Sequence, residues 1–318
     1  MKPKVIIITM GLSRIVKPIV EQHNIVGIIE CAPRNKSKNI NKIIKILKTF
    51  YSLFNPLKKT LKSYTTSKKI PYYYMENGCD INLENWVKDK QPDVIVVYSM
   101  SQLLKENIFN IPKYKTINLH PAYLPKYRGP FPDFWQYYNM DLVGGVTVHY
   151  IDKGEDTGDI IYQEEYDIPL GTKSPDNNDL AIGKIGVKLL LKALDNIDDL
   201  PRIPQPQVSP TPRARNIKPE EHKNIIDWET WQTERIWHIL RGTELWLNAI
   251  EQPKGVYKGQ RWTIENYEKC ELVPHYIPSK IYTENKKKFI ATKDGKIYIS
   301  IHFNMKNLIF YIISGRRK

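Results

Sequence analysis

Asn118, His120 and Asp156 are the residues of this chain whose types and spacing could do chemistry. Asn118 and His120 stand two apart at the end of a short run, residues 115–119, that reads as a strand. Alternation along a strand turns residues i and i+2 to one face, so both side chains can look into one cleft. Pro121 then ends the ladder, because it has no N–H to give. A turn-rich loop carrying Lys126, Arg128 and Gly129 follows. A second strand is expected over residues 145–151. Behind it an acidic, glycine-punctuated loop, residues 152–158, could bring Asp156 to His120. A neutral histidine is a general base near neutral pH. A carboxylate beside it fixes its tautomer, and an Asn amide can stabilise the oxyanion formed when a nucleophile attacks a carbonyl. With no Ser or Cys in the motif, the set suits direct transfer to an outside nucleophile and needs no acyl-enzyme. The plain alternative is a structural strand histidine, with Asn and Asp merely shaping turns.

The trio sits inside a series of linked blocks. These are Asn118/His120/Pro121, then Leu124-Pro125-Lys126-Tyr127-Arg128-Gly129, then Gly145-Val146-Thr147-Val148-His149, then Asp152/Gly154/Asp156-Thr157-Gly158. In order and wording the series resembles the signature of the 10-formyltetrahydrofolate-dependent formyltransferases. The resemblance implies a Rossmann-like α/β domain, 10-formyltetrahydrofolate as formyl donor, and catalysis by Asn118, His120 and Asp156. It places Met100, Ser101 and Gln102, with Asp152 and Gly154, against the folate; Ser101 stands where glycine is common in the family. Tyr123, Lys126, Tyr127, Arg128 and Trp135 become candidate substrate contacts, with bracing of the loop as the alternative for Arg128. Phe134-Trp135 resembles the sugar N-formyltransferases more than the tRNA enzymes.

The elements that must position these residues are legible in outline. Residues 4–9, 24–31 and 93–98 are apolar, β-branched runs of the kind that form buried parallel strands. Ser13 is a candidate cap for a helix to about residue 23. Residues 70–74 and 160–168 read as further strands, and residues 80–88, 133–140 and 175–200 as helices. Alternating strands and helices predict a doubly wound parallel sheet, with ligands beyond the carboxyl ends of its strands. The loops after residues 98, 119 and 151 are all expected at or near such ends. No nucleotide-binding glycine fingerprint follows the first strand.

Residues 34–69 hold eleven Lys or Arg and no acid, with apolar residues at helical spacing. This basic amphipathic helix either contacts tRNA or a membrane surface, or packs its apolar stripe on the sheet with its lysines in water. Six prolines between residues 201 and 219 mark a linker that ends a catalytic domain, residues 1–200. Beyond it, residues 220–318 predict a helix over 230–249. Short strands are expected at 254–257, 261–267, 280–283, 289–291, 296–301 and 308–313, with Asp294-Gly295 as a hairpin signal. The pattern suggests a small OB-like β-barrel, a fold that often binds oligonucleotides.

The composition adds limits. At 318 residues with 41% apolar content, a globular protein of two domains is expected. Cys31, Cys79 and Cys270 are scattered and odd in number, which implies no disulfide or metal pattern and a cytoplasmic setting. No run of about 18 apolar residues exists to span a membrane. The net charge of +14 suits an acidic partner, but a lysine-rich solvated face accounts for it equally. The combined expectation is formyl transfer to the primary amine of a nucleotide-linked amino sugar. Initiator methionyl-tRNA is the alternative acceptor, and a non-catalytic nucleic-acid-binding protein the alternative of another class. Paired sugar-modifying enzymes are common in the family, so a homodimer is one expected state.

Overall fold

The computed structural model of this chain describes residues 2–33, 60–76, 81–244, 246–271 and 276–314. Most of the basic segment, residues 34–59, and Cys79 lie outside them. The catalytic region runs β1 (Lys4–Thr9), α1 (Val16–Gln22), β2 (Asn24–Cys31), α2 (Leu61–Ser67), β3 (Tyr72–Met75), α3 (Ile81–Lys90), β4 (Val94–Tyr98), α4 (Glu106–Phe109), β5 (Thr116–His120), α5 (Pro132–Tyr138), β6 (Val143–Tyr150) and β7 (Ile160–Asp167). Its seven strands form one sheet in the order β3-β2-β1-β4-β5-β6-β7. Alternation along β1 explains the layering. Val5 and Ile7 face Val16 and Ile19 of α1, while Ile6 and Ile8 face Leu83 and Val87 of α3. A strand covered on both faces must be apolar along its buried middle, and residues 5–8 of β1 are.

The expected all-parallel sheet needs correction. β1 to β5 are parallel, but β6 runs antiparallel to β5 and β7 antiparallel to β6. The acidic loop after β6 therefore does not start at the carboxyl end of β5. It starts level with Thr116 and Ile117, where Ile151 N donates to Thr116 O at 2.8 Å. From there it folds back across the face that carries Asn118 and His120.

Two helix expectations also change. Ser13 does not cap α1; its hydroxyl accepts from Thr9 Oγ1 at 2.8 Å. The single helix expected over residues 175–200 is divided into α6 (Ser174–Asn178), a π-helical stretch (Asp179–Gly186) and α7 (Val187–Asp195). Gly186 has a reason to be there. A Cβ on it would come within 2.8 Å of Leu119 Cδ2, so its absence lets the helix lie close on β5.

The proline-rich segment crosses the catalytic region as a strap. Past it come α8 (Thr233–Gly242), β8 (Thr263–Lys269), β9 (Ile281–Glu284), β10 (Lys287–Thr292), β11 (Gly295–Ser300) and α9 (Met305–Ser314). The strands make an antiparallel sheet in the order β8-β11-β10-β9. Among the described residues no pairing of β8 with β9 closes it, so what the structure shows is an antiparallel sheet, and closure into the expected barrel is not seen. Ile264, Ile290, Ile297 and Ile299 pack against Ile236, Ile239 and Leu240 of α8 and against Phe134 of α5, joining the two regions. Residues 254–257 are a short 3-10 turn with Gly255 at φ 62°, not a strand. Residues 308–313 belong to helix α9, not to a strand. A short apolar run fits either period, and Asn304 decides it, since its carboxamide oxygen accepts from Lys306 N at 2.9 Å. Among the described residues no helix is long and apolar enough to cross a membrane.

Candidate active site

β5 delivers Asn118 and His120 to one face, as alternation requires. Register places His149 of β6 directly opposite Asn118, so a second histidine joins that face. Asn118 Nδ2 lies 3.0 Å from His149 Nε2. His149 Nδ1 donates to the Tyr150 carbonyl at 2.8 Å, which fixes the ring with Nε2 toward Asn118 and Asp156.

Asp156 comes over from the acidic loop and closes the constellation. Its Oδ2 accepts from Gly129 N at 2.9 Å and faces His120 Nδ1 at 3.5 Å. Its Oδ1 faces Asn118 Nδ2 at 3.4 Å and His149 Nε2 at 3.5 Å. Burial pushes this carboxyl up. The charge of His120, the hydrogen bond and charge of His149, and the Gly129 N–H outweigh it and hold Asp156 ionised, well below the usual carboxylate range. The contacts of 3.4–3.5 Å are long for hydrogen bonds, as is usual in a site that tightens around substrate. His120 Nε2 lies 3.0 Å from the Tyr127 carbonyl, a group that can only accept. Both ring nitrogens of His120 thus face oxygen atoms, which fixes the orientation of the ring.

The acid loop is built for this. Asp152 accepts from Gly154 N at 3.0 Å and from Thr157 Oγ1 at 2.7 Å, which curls the loop on itself. Asp156 adopts φ 55°, the left-handed region that Asp tolerates better than most residues. The strap holds the loop from behind. Gln205 Nε2 donates to the carbonyls of Asp156 at 3.1 Å and Gly158 at 2.6 Å. Gln205 Oε1 accepts from Arg128 Nη2 at 2.8 Å.

A cleft of about 270 Å³ opens over the trio. Its lining includes the apolar Val97, Met100, Leu103, Leu104 and Ile151 and the polar Gln102, Asp152 and Gly154. Apolar side chains with backbone and amide groups among them suit a pterin ring, so the residues present fit a folate. Tyr98, Phe131, Asp133 and Asn178 also line it. Of the expected folate contacts, Met100, Gln102, Asp152 and Gly154 line the cleft. Ser101 is turned to Ala32 O, at 2.6 Å.

The expected substrate contacts lie elsewhere; none is among the lining residues. Arg128 is buried and braces the strap, donating to Pro206 O at 2.8 Å and Gln207 O at 3.1 Å. Tyr127 is buried, and its hydroxyl donates to Asp141 at 3.2 Å. Lys126 pairs with Asp141 at 3.6 Å. Tyr123 packs on Gly145, and Trp135 donates its indole N–H to Arg215 O at 2.8 Å. Sequence reasoning missed His149 as a partner, the Gly129 N–H and Asp133. His149 had a signal, the motif around it, but its role depends on strand register. Asp133 had none.

A Rossmann-like sheet with an Asn, His, Asp cluster in a cleft whose lining fits a folate points to a one-carbon transferase. Comparison with known proteins agrees. The family model described as formyl transferase matches residues 49–194. Methionyl-tRNA formyltransferase of Clostridium acetobutylicum is 31% identical over 223 residues, 70% of this chain and 69% of that one. Two solved structures share the fold. The N-formyltransferase from Helicobacter canadensis, in complex with folinic acid and dTDP-3-aminofucose, has a TM-score of 0.59 and 19% identity over 95% of this chain and 100% of that chain. HypX from Aquifex aeolicus, in complex with tetrahydrofolic acid, has a TM-score of 0.60 and 14% identity over 94% of this chain, which spans 44% of HypX. The chain belongs to the formyltransferase family: it is an enzyme that transfers a formyl group from formyl-tetrahydrofolate. That membership sets aside the non-catalytic binding protein.

Proposed function

We propose that the acceptor is the primary amine of a nucleotide-linked amino sugar. The observation that carries this reading is that Tyr98, Asp133 and Asn178, all with hydrogen-bonding groups, line the cleft. Sugar hydroxyls and an amine suit such a lining, whereas a methionyl side chain would need an apolar one. The end-to-end likeness of fold to the Helicobacter canadensis enzyme adds support.

In this mechanism Asn118, His120 and Asp156 are the catalytic set. The donor supplies an electrophilic formyl carbon. Met100, Gln102, Asp152 and Gly154 would hold the folate. As the amine attacks, negative charge gathers on the formyl oxygen. In this reading Asn118 Nδ2 and the His120 ring would stabilise it by exchanging a present contact for the formyl oxygen. Asp156 would orient His120. Holding amine and formyl carbon together removes much of the entropic barrier, worth up to about 7–11 kcal/mol.

A second reading, initiator methionyl-tRNA as acceptor, is favoured by the sequence relatives. It also has a surface groove on the C-terminal sheet, lined by Lys286, Lys287, Lys288 and Tyr298. The test is tetrahydrofolate release, followed by absorbance, with a panel of nucleotide-linked amino sugars and methionyl-tRNA in parallel. Turnover with an amino sugar and none with the tRNA is expected. Turnover with the tRNA alone overturns the sugar reading.

A further inference from the structure

Asp156 reaches the trio only because the acid loop folds back over β5. Its backbone stands at φ 55°, a left-handed conformation that persists where surrounding contacts fix it. The loop's own hydrogen bonds, from Gly154 N and Thr157 Oγ1 to Asp152, do not involve residues 155 and 156. The grip on those two residues comes from outside the loop.

Residue 155 is a glutamate that lines the cleft, with its side chain 25% exposed. Arg213 of the strap meets it with both arms of its fork: Nε donates to Oε2 at 2.5 Å and Nη2 to Oε1 at 2.8 Å. A double contact of this kind fixes direction as well as distance, because guanidinium and carboxylate must line up. The next strap residue, Ala214, is bonded on both sides to the loop that carries Gly129. Ala214 N donates to Arg128 O, and Phe131 N to Ala214 O. Gly129 N in turn donates to Asp156 Oδ2 at 2.9 Å. Two adjacent strap residues thus hold Asp156 from two directions, Arg213 through the residue before it and Ala214 through the donor to its carboxylate. We propose that Arg213 and Glu155 are positioning residues for formyl transfer: their ion pair holds the acid loop where the Asp156 carboxylate faces His120. This rests on the reading that Asp156 acts through His120.

The place of the pair matters more than its strength. Arg213 is 56% exposed, so solvent screens the attraction and its part in folding stability is small. Its leverage lies in the next residue. His120 Nδ1 and Asp156 Oδ2 already stand 3.5 Å apart, so a further shift of the loop breaks their contact. A misplacement of about 1 Å at a reacting centre can cost about 100-fold in rate. Arg213 also offsets charge. Without it, Glu155 and Asp156 are neighbouring carboxylates, and their repulsion favours moving the loop outward.

The test uses the full chain as wild type, Arg213→Ala, Glu155→Gln and the double variant, with tetrahydrofolate release as the rate. Each single variant should lose about tenfold in kcat, with its melting temperature little changed. KM for 10-formyltetrahydrofolate should stay near wild type, because the bonds of Asp152 to Gly154 and Thr157 remain. The double variant should be no worse than Arg213→Ala, since the two side chains act as one pair. Arg213 is exposed, so added methylguanidinium can take its place. It should restore a large part of kcat in Arg213→Ala and none in the double variant. Wild-type kcat in the single variants, additive losses in the double variant, or no rescue by methylguanidinium overturns the proposal.

A second readout needs no acceptor. In protein labelled with 15N at its histidine rings, the signals absent from His120→Ala belong to His120. In Arg213→Ala they should move toward their positions in Asp156→Asn. They should return on addition of methylguanidinium chloride and not of sodium chloride at equal concentration. Unmoved signals overturn the proposal. If Asp156→Asn keeps wild-type turnover, the catalytic reading of Asp156 fails separately, and the ring signals decide whether Arg213 places its carboxylate.

Discussion

Asp156 joins β5, β6 and the loop at Gly129 through one side chain. It touches His120, His149, Asn118 and the Gly129 N–H, and those partners keep it charged although it is buried. Removing either end of the His120–Asp156 contact should cost catalysis far more than folding. His120→Ala and Asp156→Asn should each lower turnover by about 10²–10⁴, with melting temperatures close to wild type. Near-normal tetrahydrofolate release in either variant would remove that residue from the mechanism. Motif and strand alternation made the trio legible, because both are local. Asp133 and the second-histidine role of His149 were not, because neither follows from spacing along the chain. His149 meets Asn118 only through the register of β5 on β6.

The element that holds this site in shape is the strap. Its prolines mark it as extended, and that much reads from composition. Its partners do not. Ala214 N donates to Arg128 O at 2.8 Å and Phe131 N to Ala214 O at 2.9 Å, so the strap is stitched to the loop beside the cleft. Gly129 has φ 124°, and a Cβ there would meet Ala214 O at 2.9 Å, which explains the glycine. Gln205 links Arg128 to the acid loop. Gln205→Ala should destabilise the protein by about 1–3 kcal/mol, since the Arg128 guanidinium and two carbonyls lose a partner. It should also lower kcat, with KM for the acceptor little changed. Thermal denaturation and steady-state rates measure the two effects, and wild-type values in both would show that the strap does not position Asp156.

At the scale of the whole molecule, the catalytic region and the C-terminal region share a seam. Gly171 N donates to His238 Nδ1 at 2.9 Å, and His238 stacks on Tyr137 at 4.7 Å. Arg241 Nε donates to Gly171 O at 2.9 Å and Arg241 Nη1 to Ile264 O at 2.6 Å, tying α8 to both regions. Burial lowers the pKa of His238 to about 4. The folded protein therefore binds fewer protons at this site than the unfolded chain between pH 6.5 and pH 4. Stability from this residue is full above pH 6.5 and is lost as pH falls through that window, by up to about 3 kcal/mol. Chemical denaturation at pH 7, 5.5 and 4.5 should show the decline, and His238→Asn should flatten it. An equal slope in that variant would place the sensitivity elsewhere.

Residues close in sequence, and the periods they follow, already contained the sheet core, the grouping of Asn118, His120 and Asp156, the family and the position of the strap. Those features rest on alternation, local turn chemistry and motif order, none of which needs a distant partner. Strand direction was beyond that reach, because β6 and β7 satisfy the same alternation whether they run parallel or antiparallel to β5. The π-helical stretch, the open C-terminal sheet and helix α9 were beyond it too. In each, packing against a distant element or a single capping contact selects between conformations that the local pattern allows equally. The same cause turned Arg128, Tyr127 and Trp135 to scaffold partners outside the cleft lining, and brought Asp133 into the cleft.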